Sequence, residues 1–390
     1  MLTKITLNNF KSFKNTATVD LTKTNYTILP QNVADNGVLK GCIFVGANAS
    51  GKSTIILGMK LLLDFLFSER NLNSGIFLCM FGNSPCYSLS YEFLIEKKTI
   101  QYSFEVDARK TMISEKLYID NKPMLERMGL SAKSYIAEPN GVNYDESDVG
   151  KDTLFLRTLY FNTKFASNSV LRAWMDYLKK SIYINMFDRT IISYGNAELS
   201  VARYLDKSGC GSINKFFDEY NFEQNIEYEH SSQGGSVRLV VGDNDSEKGI
   251  FFKRKGIEVP IPFAEESLGN QNLLRLLPSF LSVIENGGII LIDEFSSGFH
   301  NELENLLVRY FMEKAAHAQM LFVSHSTNLL SNSILRPDQE YSVEFQKESG
   351  SFIKRFSSEQ PRSAQNIEKM YVSGVFGGLP DYKEVDDEIK

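Results

Sequence analysis

Apolar and polar residues alternate through Leu2-Thr-Lys-Ile-Thr-Leu-Asn-Asn-Phe10, the period of two that a half-buried β-strand requires. A second strand over 17–29 is expected to pair with it. Residues 43–45, Ile-Phe-Val, form an unbroken β-branched and aromatic run that reads as a buried strand, and 54–67 reads as an apolar helix. Three further alternating stretches, 87–95, 99–106 and 112–119, predict a β meander that extends the first lobe. The pattern then changes to helical spacing over 168–182, which contains Trp174, and again near 198–205 and 212–220, with Gly209 to Gly211 as a break. Strands are predicted again at 236–241 and 250–253, leading to 257–263, followed by a helix over 272–284. Two continuous apolar runs, 288–292 and 319–323, read as strands covered on both faces. No heptad persists over three or four repeats, so a long coiled coil is not expected.

The first apolar run leads directly into Gly46-Ala-Asn-Ala-Ser-Gly-Lys-Ser53, which fits the phosphate-binding loop pattern G-x-x-x-x-G-K-[ST]. Gly46 and Gly51 allow a tight turn and close backbone approach, and the following helix aims its positive dipole end at the same anion. Lys52 would reach the β- and γ-phosphates of a nucleotide, and Ser53 would place its hydroxyl on Mg²⁺. Gly46, Asn48, Ser50, Gly51, Lys52, Ser53 and Thr54 are therefore the phosphate-side candidates. Asn9, Lys11 and Ser12, at the end of the first strand, are placed to approach the base or the α-phosphate.

Three later stretches add chemistry to that loop. Gly288-Ile-Ile-Leu-Ile-Asp293-Glu294 is an apolar strand ending in two carboxylates, the Walker B pattern, at the strand end where an α/β sheet gathers ligand groups. Asp293 would hold Mg²⁺ and Glu294 would polarise the attacking water. Gln319-Met-Leu-Phe-Val-Ser-His325 delivers a histidine at the next strand end, in the slot of a γ-phosphate sensor. Ser267-Leu-Gly269 opens a helix about 25 residues ahead of Asp293, offering a hydroxyl and a dipole end suited to a γ-phosphate held by another subunit. His300 is a helix cap or a contact to a neighbouring subunit.

Composition narrows the class. The 390 residues are 43% apolar and 23% charged, ordinary for a globular chain. Net charge is −6, so the whole molecule has no field that would draw in nucleic acid, and Lys179-Lys180 and Lys253-Arg254-Lys255 are expected to be solvated faces. The acidic stretch from Asp381 to Glu388 is expected to be a solvated end. The four cysteines, Cys42, Cys79, Cys86 and Cys210, lack C-x-x-C spacing and a nearby histidine cluster, which argues for reduced thiols in a cytoplasmic protein. The amino terminus lacks a signal-peptide core, and the apolar helix at 54–67 carries Lys60 and Asp64 and is too short to span a bilayer. No membrane role is expected without a separate membrane subunit.

In order along the chain, Asn9-Phe-Lys-Ser-Phe13, Gly46 to Ser53, Ser267 to Gln271, Asp293-Glu294, His300 and Ser324-His325-Ser326 resemble the motif series of SMC/RecF-like ABC-type ATPases. Together with Ile367-Glu-Lys-Met-Tyr371-Val-Ser-Gly374-Val-Phe376-Gly-Gly-Leu-Pro380, they resemble a short-insert bacterial branch. That branch includes AbiL- and RloA-like ATP-binding proteins and the ATPase subunit of PARIS anti-phage systems. The resemblance implies an α/β fold: an ABC-type P-loop head with an amino-terminal β lobe, built from 1–125 and 236–390 and interrupted by a compact, largely helical insertion at 126–235. It also implies ATP and Mg²⁺ as cofactors and a homo-oligomer whose unit is a head-to-tail dimer, with a hexamer as a larger assembly. The implied partners are an effector such as a TOPRIM-type nuclease and a phage-encoded trigger. A RecF/SMC-like DNA-repair ATPase is the alternative, and it would need a basic DNA-facing surface.

Overall fold

Strands covered on both faces need side chains that are apolar in both directions, and the two continuous apolar runs occupy the middle of the molecule for that reason. Our computed structural model describes residues 1–68, 72, 75–110, 112–136, 145–146, 148–162, 167–195, 200–230 and 248–380. Gly288–Asp293 and Ala318–Val323 are buried along their whole length and pair in parallel. Gly41–Val45 joins the free side of Ala318–Val323, and Glu340–Phe345 lies beyond it, both in parallel. Ile182–Asn185 pairs in parallel on the far side of Gly288–Asp293. Antiparallel strands Thr190–Ser193 and Ser351–Arg355 close the two edges of this seven-stranded sheet. Five parallel strands thus end along one edge.

Alternation along these strands divides the interior in two. Cys42, Phe44, Ile289, Leu291, Leu321 and Val323 face one core, while Ile43, Val45, Ile290, Ile292, Met320 and Phe322 face the other. The first core is closed by an eight-stranded antiparallel sheet in the order Ala17–Asp20, Leu2–Asn8, Cys86–Ile95, Lys98–Asp107, Met112–Ile119, Lys122–Met128, Ser131–Ser134, Asp145–Glu146. The meander and the first strand stand as expected. The strand predicted over 17–29 stops at Asp20, whose carboxylate accepts the Thr22 N–H and hydroxyl at 2.8 and 2.6 Å, a turn that ends the ladder. Helix Lys52–Phe67 fills the space between the sheets and buries eleven of its residues. Gly58 permits its close approach, because a Cβ there would run into the Leu7 side chain.

The segment 126–235, expected to be a largely helical insertion, is not set apart from the head by its contacts. Lys122–Met128 runs across the expected boundary, and its Arg127 is buried against Glu115 at 3.0 Å. The same guanidinium donates to the carbonyls of Thr153 and Gly150, while Glu115 accepts from Phe155 N at 2.6 Å, so the pair is fully hydrogen-bonded. Helix Ser169–Lys179 lays Trp174 against Phe93 and Tyr102 of the eight-stranded sheet, and Ile182–Asn185 is a strand of the central one. Local periodicity gives an element its type, whereas the sheet it joins is chosen by distant partners, so elements of this segment pair with strands on both sides of it in sequence. The remaining helices, Val201–Ser208 and Gly211–Glu219, pack into the second core. Strand Gln224–His230, absent from the sequence reading, pairs with Lys248–Arg254, which pairs in turn with Ile261–Pro262. The strand expected at 236–241 and the acidic stretch after 380 lie outside the described residues.

Candidate phosphate-binding site

The 46–51 loop leaves the buried end of Gly41–Val45, and its backbone needs the two glycines. Gly46 has φ 151° and Gly51 has φ 110°, and a Cβ on Gly51 would stand 2.6 Å from both the Ser12 and Ser351 hydroxyls. Ala49 takes φ 61° without that freedom. Lys52 folds back over the loop and donates to the carbonyls of Gly46 at 2.9 Å and Ala47 at 2.8 Å. Burial pushes its pKa down, against the pull of Glu294 and Asp293, which raises the demand for an anion beside it. Ser50 is buried and its hydroxyl has no hydrogen-bond partner among the described residues, while Asn48 is exposed at the tip and Thr54, in the first turn of the helix, has its N–H on the Gly51 carbonyl at 3.1 Å. A turn of this form can cradle an anion.

Parallel pairing brings the other candidates to the same edge. The Ser53 hydroxyl donates to the Asp293 carboxylate at 2.9 Å across 240 residues of sequence. Burial raises the pKa of Asp293, the Ser53 hydrogen bond lowers it and Glu294 raises it further. A cation at this pair of oxygens would relieve that burial. Glu294 has φ 56° and ψ 43°, a left-handed turn that swings its carboxylate off the strand line to within 3.7 Å of the His325 Nε2. Burial and the charge of Lys52 lower the pKa of His325, with Glu294 opposing, so the imidazole is neutral at pH 7. The His325 backbone N–H is held by the Ser296 hydroxyl at 3.1 Å. Among the described residues no three His, Cys, Asp or Glu side chains converge as a protein-only metal cage. A divalent cation at Ser53 and Asp293 would therefore share its shell with phosphate oxygens, the usual arrangement for Mg²⁺.

Ser267 and Gly269 stand elsewhere. Ser267 caps helix Leu268–Asn286, its hydroxyl accepting from Asn270 N at 3.3 Å, four residues earlier than the helix predicted over 272–284. Ser267 and Leu268 are exposed, and among the described residues Ser267 and Gly269 make no hydrogen bond to the 46–54 loop. The turn before them is organised by buried Glu266, which accepts from Ser267 N, Asn270 and Arg254. The basic run at 253–255 is thus only partly a solvated face: Arg254 supports this corner, and Lys253 pairs with Glu227 at 3.1 Å. His300 is a cap, its Nδ1 accepting from Glu302 N at 3.4 Å.

Of the early candidates, Ser12 lies against Gly51, while Asn9 is tied to the carbonyls of Ser84 and Cys86 and Lys11 sits over the Phe77 ring. Several residues at the site were not among the candidates the sequence offered for it. Ser351 donates to the Ser50 carbonyl at 2.6 Å, Asn185 stands opposite Asp293 in the ladder, and the Gly378 carbonyl accepts from Ala47 N at 2.8 Å. Each arrives from a distant segment through sheet pairing or a tertiary turn, so no local spacing could have announced it.

With this geometry in hand, comparison with known proteins adds the following. Residues 193–331 match the family model described as AAA domain, putative AbiEii toxin, Type IV TA system. That span holds Ser267, Asp293, Glu294 and His325 but not the loop. The chain is similar to the SMC head domain from Thermotoga maritima, at 15% identity and a TM-score of 0.47, covering 90% of this chain and 97% of that one. It is also similar to an SmcHead bound to the C-winged helix domain of ScpA, at 12% identity, a TM-score of 0.48 and the same two coverages. A third similar structure is an Smc head domain with an extended coiled coil, bound to the C-terminal domain of ScpA derived from Pyrococcus furiosus. Its identity is 11% and its TM-score 0.43, over 90% of this chain and 95% of that one. No curated protein matches the sequence.

Proposed function

We propose that this chain is a Mg²⁺-dependent, ATP-hydrolysing head of ABC type. The observation that carries the reading is the 2.9 Å hydrogen bond between Ser53 and Asp293, which brings the phosphate loop and the acidic strand end into one site. Backbone N–H groups of the loop and Lys52 would hold the β- and γ-phosphates, and Ser53 and Asp293 would hold the metal. Bound Mg²⁺ supplies charge neutralisation between the phosphates. Glu294, turned out of the strand, orients and polarises the water, and neutral His325 donates a hydrogen bond to the γ-phosphate. Ser267 and Gly269 would complete the site of a second copy, giving a head-to-tail dimer as the unit and a hexamer as a larger assembly. The test is release of phosphate from ATP by the purified chain, with and without Mg²⁺; no turnover in either condition overturns the reading.

The same proposal places the ATPase in a bacterial anti-phage system in the cytoplasm, as a sensor or scaffold that restrains a toxin or nuclease such as a TOPRIM-type effector until a phage protein triggers release. Its supports are the motif resemblance and the toxin–antitoxin family model over 193–331. No helix among the described residues is long and apolar enough to cross a membrane. Co-expression with the product of the adjacent gene, followed by phage challenge, tests this assignment. Salt-sensitive binding of duplex DNA by this chain alone would favour a RecF/SMC-like DNA-repair role instead.

A further inference from the structure

The phosphate loop borders a cavity of about 250 Å³ whose second wall comes from the far end of the chain. Val45, Gly46, Ala47, Asn48 and His325 form one side; Tyr371, Leu379 and Pro380 form the other. The segment that carries Leu379 and Pro380 is anchored. Phe376 is buried and stacks on Phe356 with ring centroids 3.9 Å apart, and its carbonyl accepts from the Ser342 hydroxyl at 2.6 Å. Gly377 and Gly378 then turn the chain with φ 70° and 77°, conformations a side chain would oppose. A Cβ on Gly378 would come 3.1 Å from the Ser342 Cβ and 3.2 Å from the Val343 carbonyl oxygen.

That turn exists to reach the loop. The Gly378 carbonyl takes the Ala47 N–H at 2.8 Å, and the Ala47 carbonyl takes the Lys52 ammonium at the same distance. One residue therefore links the carboxyl-terminal segment to the loop cation. The helix that would hold the inner phosphates begins at Lys52, whereas Ala47, Asn48 and His325 lie toward the end of the phosphate chain that Lys52 reaches last. On the ATP reading, a diphosphate seated on the helix end would leave this cavity untouched, and a third phosphate would enter it.

We propose that residues 376–380 form a third wall of the nucleotide site, positioning the 46–48 half of the loop so that it distinguishes a nucleoside triphosphate from a diphosphate. The proposal rests on the ATP reading above. Gly378→Val displaces the turn without changing the sequence of the 46–53 loop, and Phe376→Ala releases the anchor from a different point. Affinities for a non-hydrolysable ATP analogue and for ADP, both with Mg²⁺, are measured by calorimetry on the full chain and on each variant, with thermal melts confirming folding. Loss of the Gly378 contact should weaken the triphosphate about tenfold, the scale of one well-placed hydrogen bond, and leave ADP within about twofold. The triphosphate should also slow amide exchange across 374–380 more than ADP does. An unchanged triphosphate-to-diphosphate ratio in both folded variants overturns the wall. Absence of binding by the unaltered chain would overturn the nucleotide reading itself, a distinct outcome.

Discussion

Two helix starts in this molecule carry similar equipment and end up in different situations. Helix Lys52–Phe67 begins at a glycine-rich turn with a serine beside it, and helix Leu268–Asn286 begins after Ser267 with a single glycine, Gly269, in its first turn. The first is wired into its surroundings: Lys52 to loop carbonyls, Ser53 to Asp293, Ser50 to Ser351, Ala47 to Gly378. The second is braced from behind by Glu266 and Arg254, while Ser267 and Leu268 remain exposed. A helix start with unspent N–H groups is an anion site wherever an anion can reach it. The contrast teaches that one corner is tied into its own chain and the other is left exposed, as the proposed pairing in trans requires.

That contrast can be broken in several places. Glu294→Gln should slow hydrolysis by roughly 10²- to 10⁴-fold, the range for removing a general base, while nucleotide still binds because Ser53, Asp293 and Lys52 remain. Loss of binding in that variant would show that Glu294 holds the metal rather than the water. Lys52→Ala should weaken nucleotide binding by about 2–5 kcal/mol, since it strips a buried, desolvated cation from the phosphates. Calorimetry reads this directly, and near-normal affinity would remove the loop from the site. Ser267→Arg should leave binding by the isolated head intact and abolish hydrolysis by the dimer. When it is mixed with Lys52→Ala, activity should return to about one working site per mixed dimer, as isologous pairing implies. No recovery from two folded, associating variants would mean that the second corner does not act in trans.

The smallest effect is a pH limb. His325 lies below its ordinary value of 6.5 because burial and the Lys52 charge disfavour the imidazolium. Its protonation midpoint therefore lies below 6.5, so the acid fall in hydrolysis rate should be centred below pH 6.5. The His325→Gln profile should lack that fall. An inflection at or above 6.5 that disappears in the variant would contradict the neutral donor role.

How far the chain could be read depended on the range of the interactions involved. The loop, the two carboxylates and the histidine were legible because each sits on an unbroken apolar strand, whose burial on both faces leaves a one-dimensional signature. Strand Gln224–His230 was missed: Gln-Asn-Ile-Glu-Tyr-Glu-His is polar enough to pass for a loop, and its pairing with Lys248–Arg254 supplies what its composition lacks. The contacts across position 126 were not legible either, because the Arg127–Glu115 pair and the Trp174 contacts join residues whose proximity no local window contains.

The sequence by itself therefore determined the chemistry of the loop corner. The glycines at 46 and 51, the lysine, the hydroxyl and the acidic strand end are types suited to turning a backbone around an anion, as the proposed site requires, and that pattern is local. Only the tertiary structure decided which remote segments share that corner. Parallel pairing set Asp293, His325 and Asn185 along one edge, packing of Phe376 on Phe356 brought Gly378 onto Ala47, and the Ser267 turn was left facing outward. Those choices come from the burial of whole sheet faces, a sum over many distant contacts.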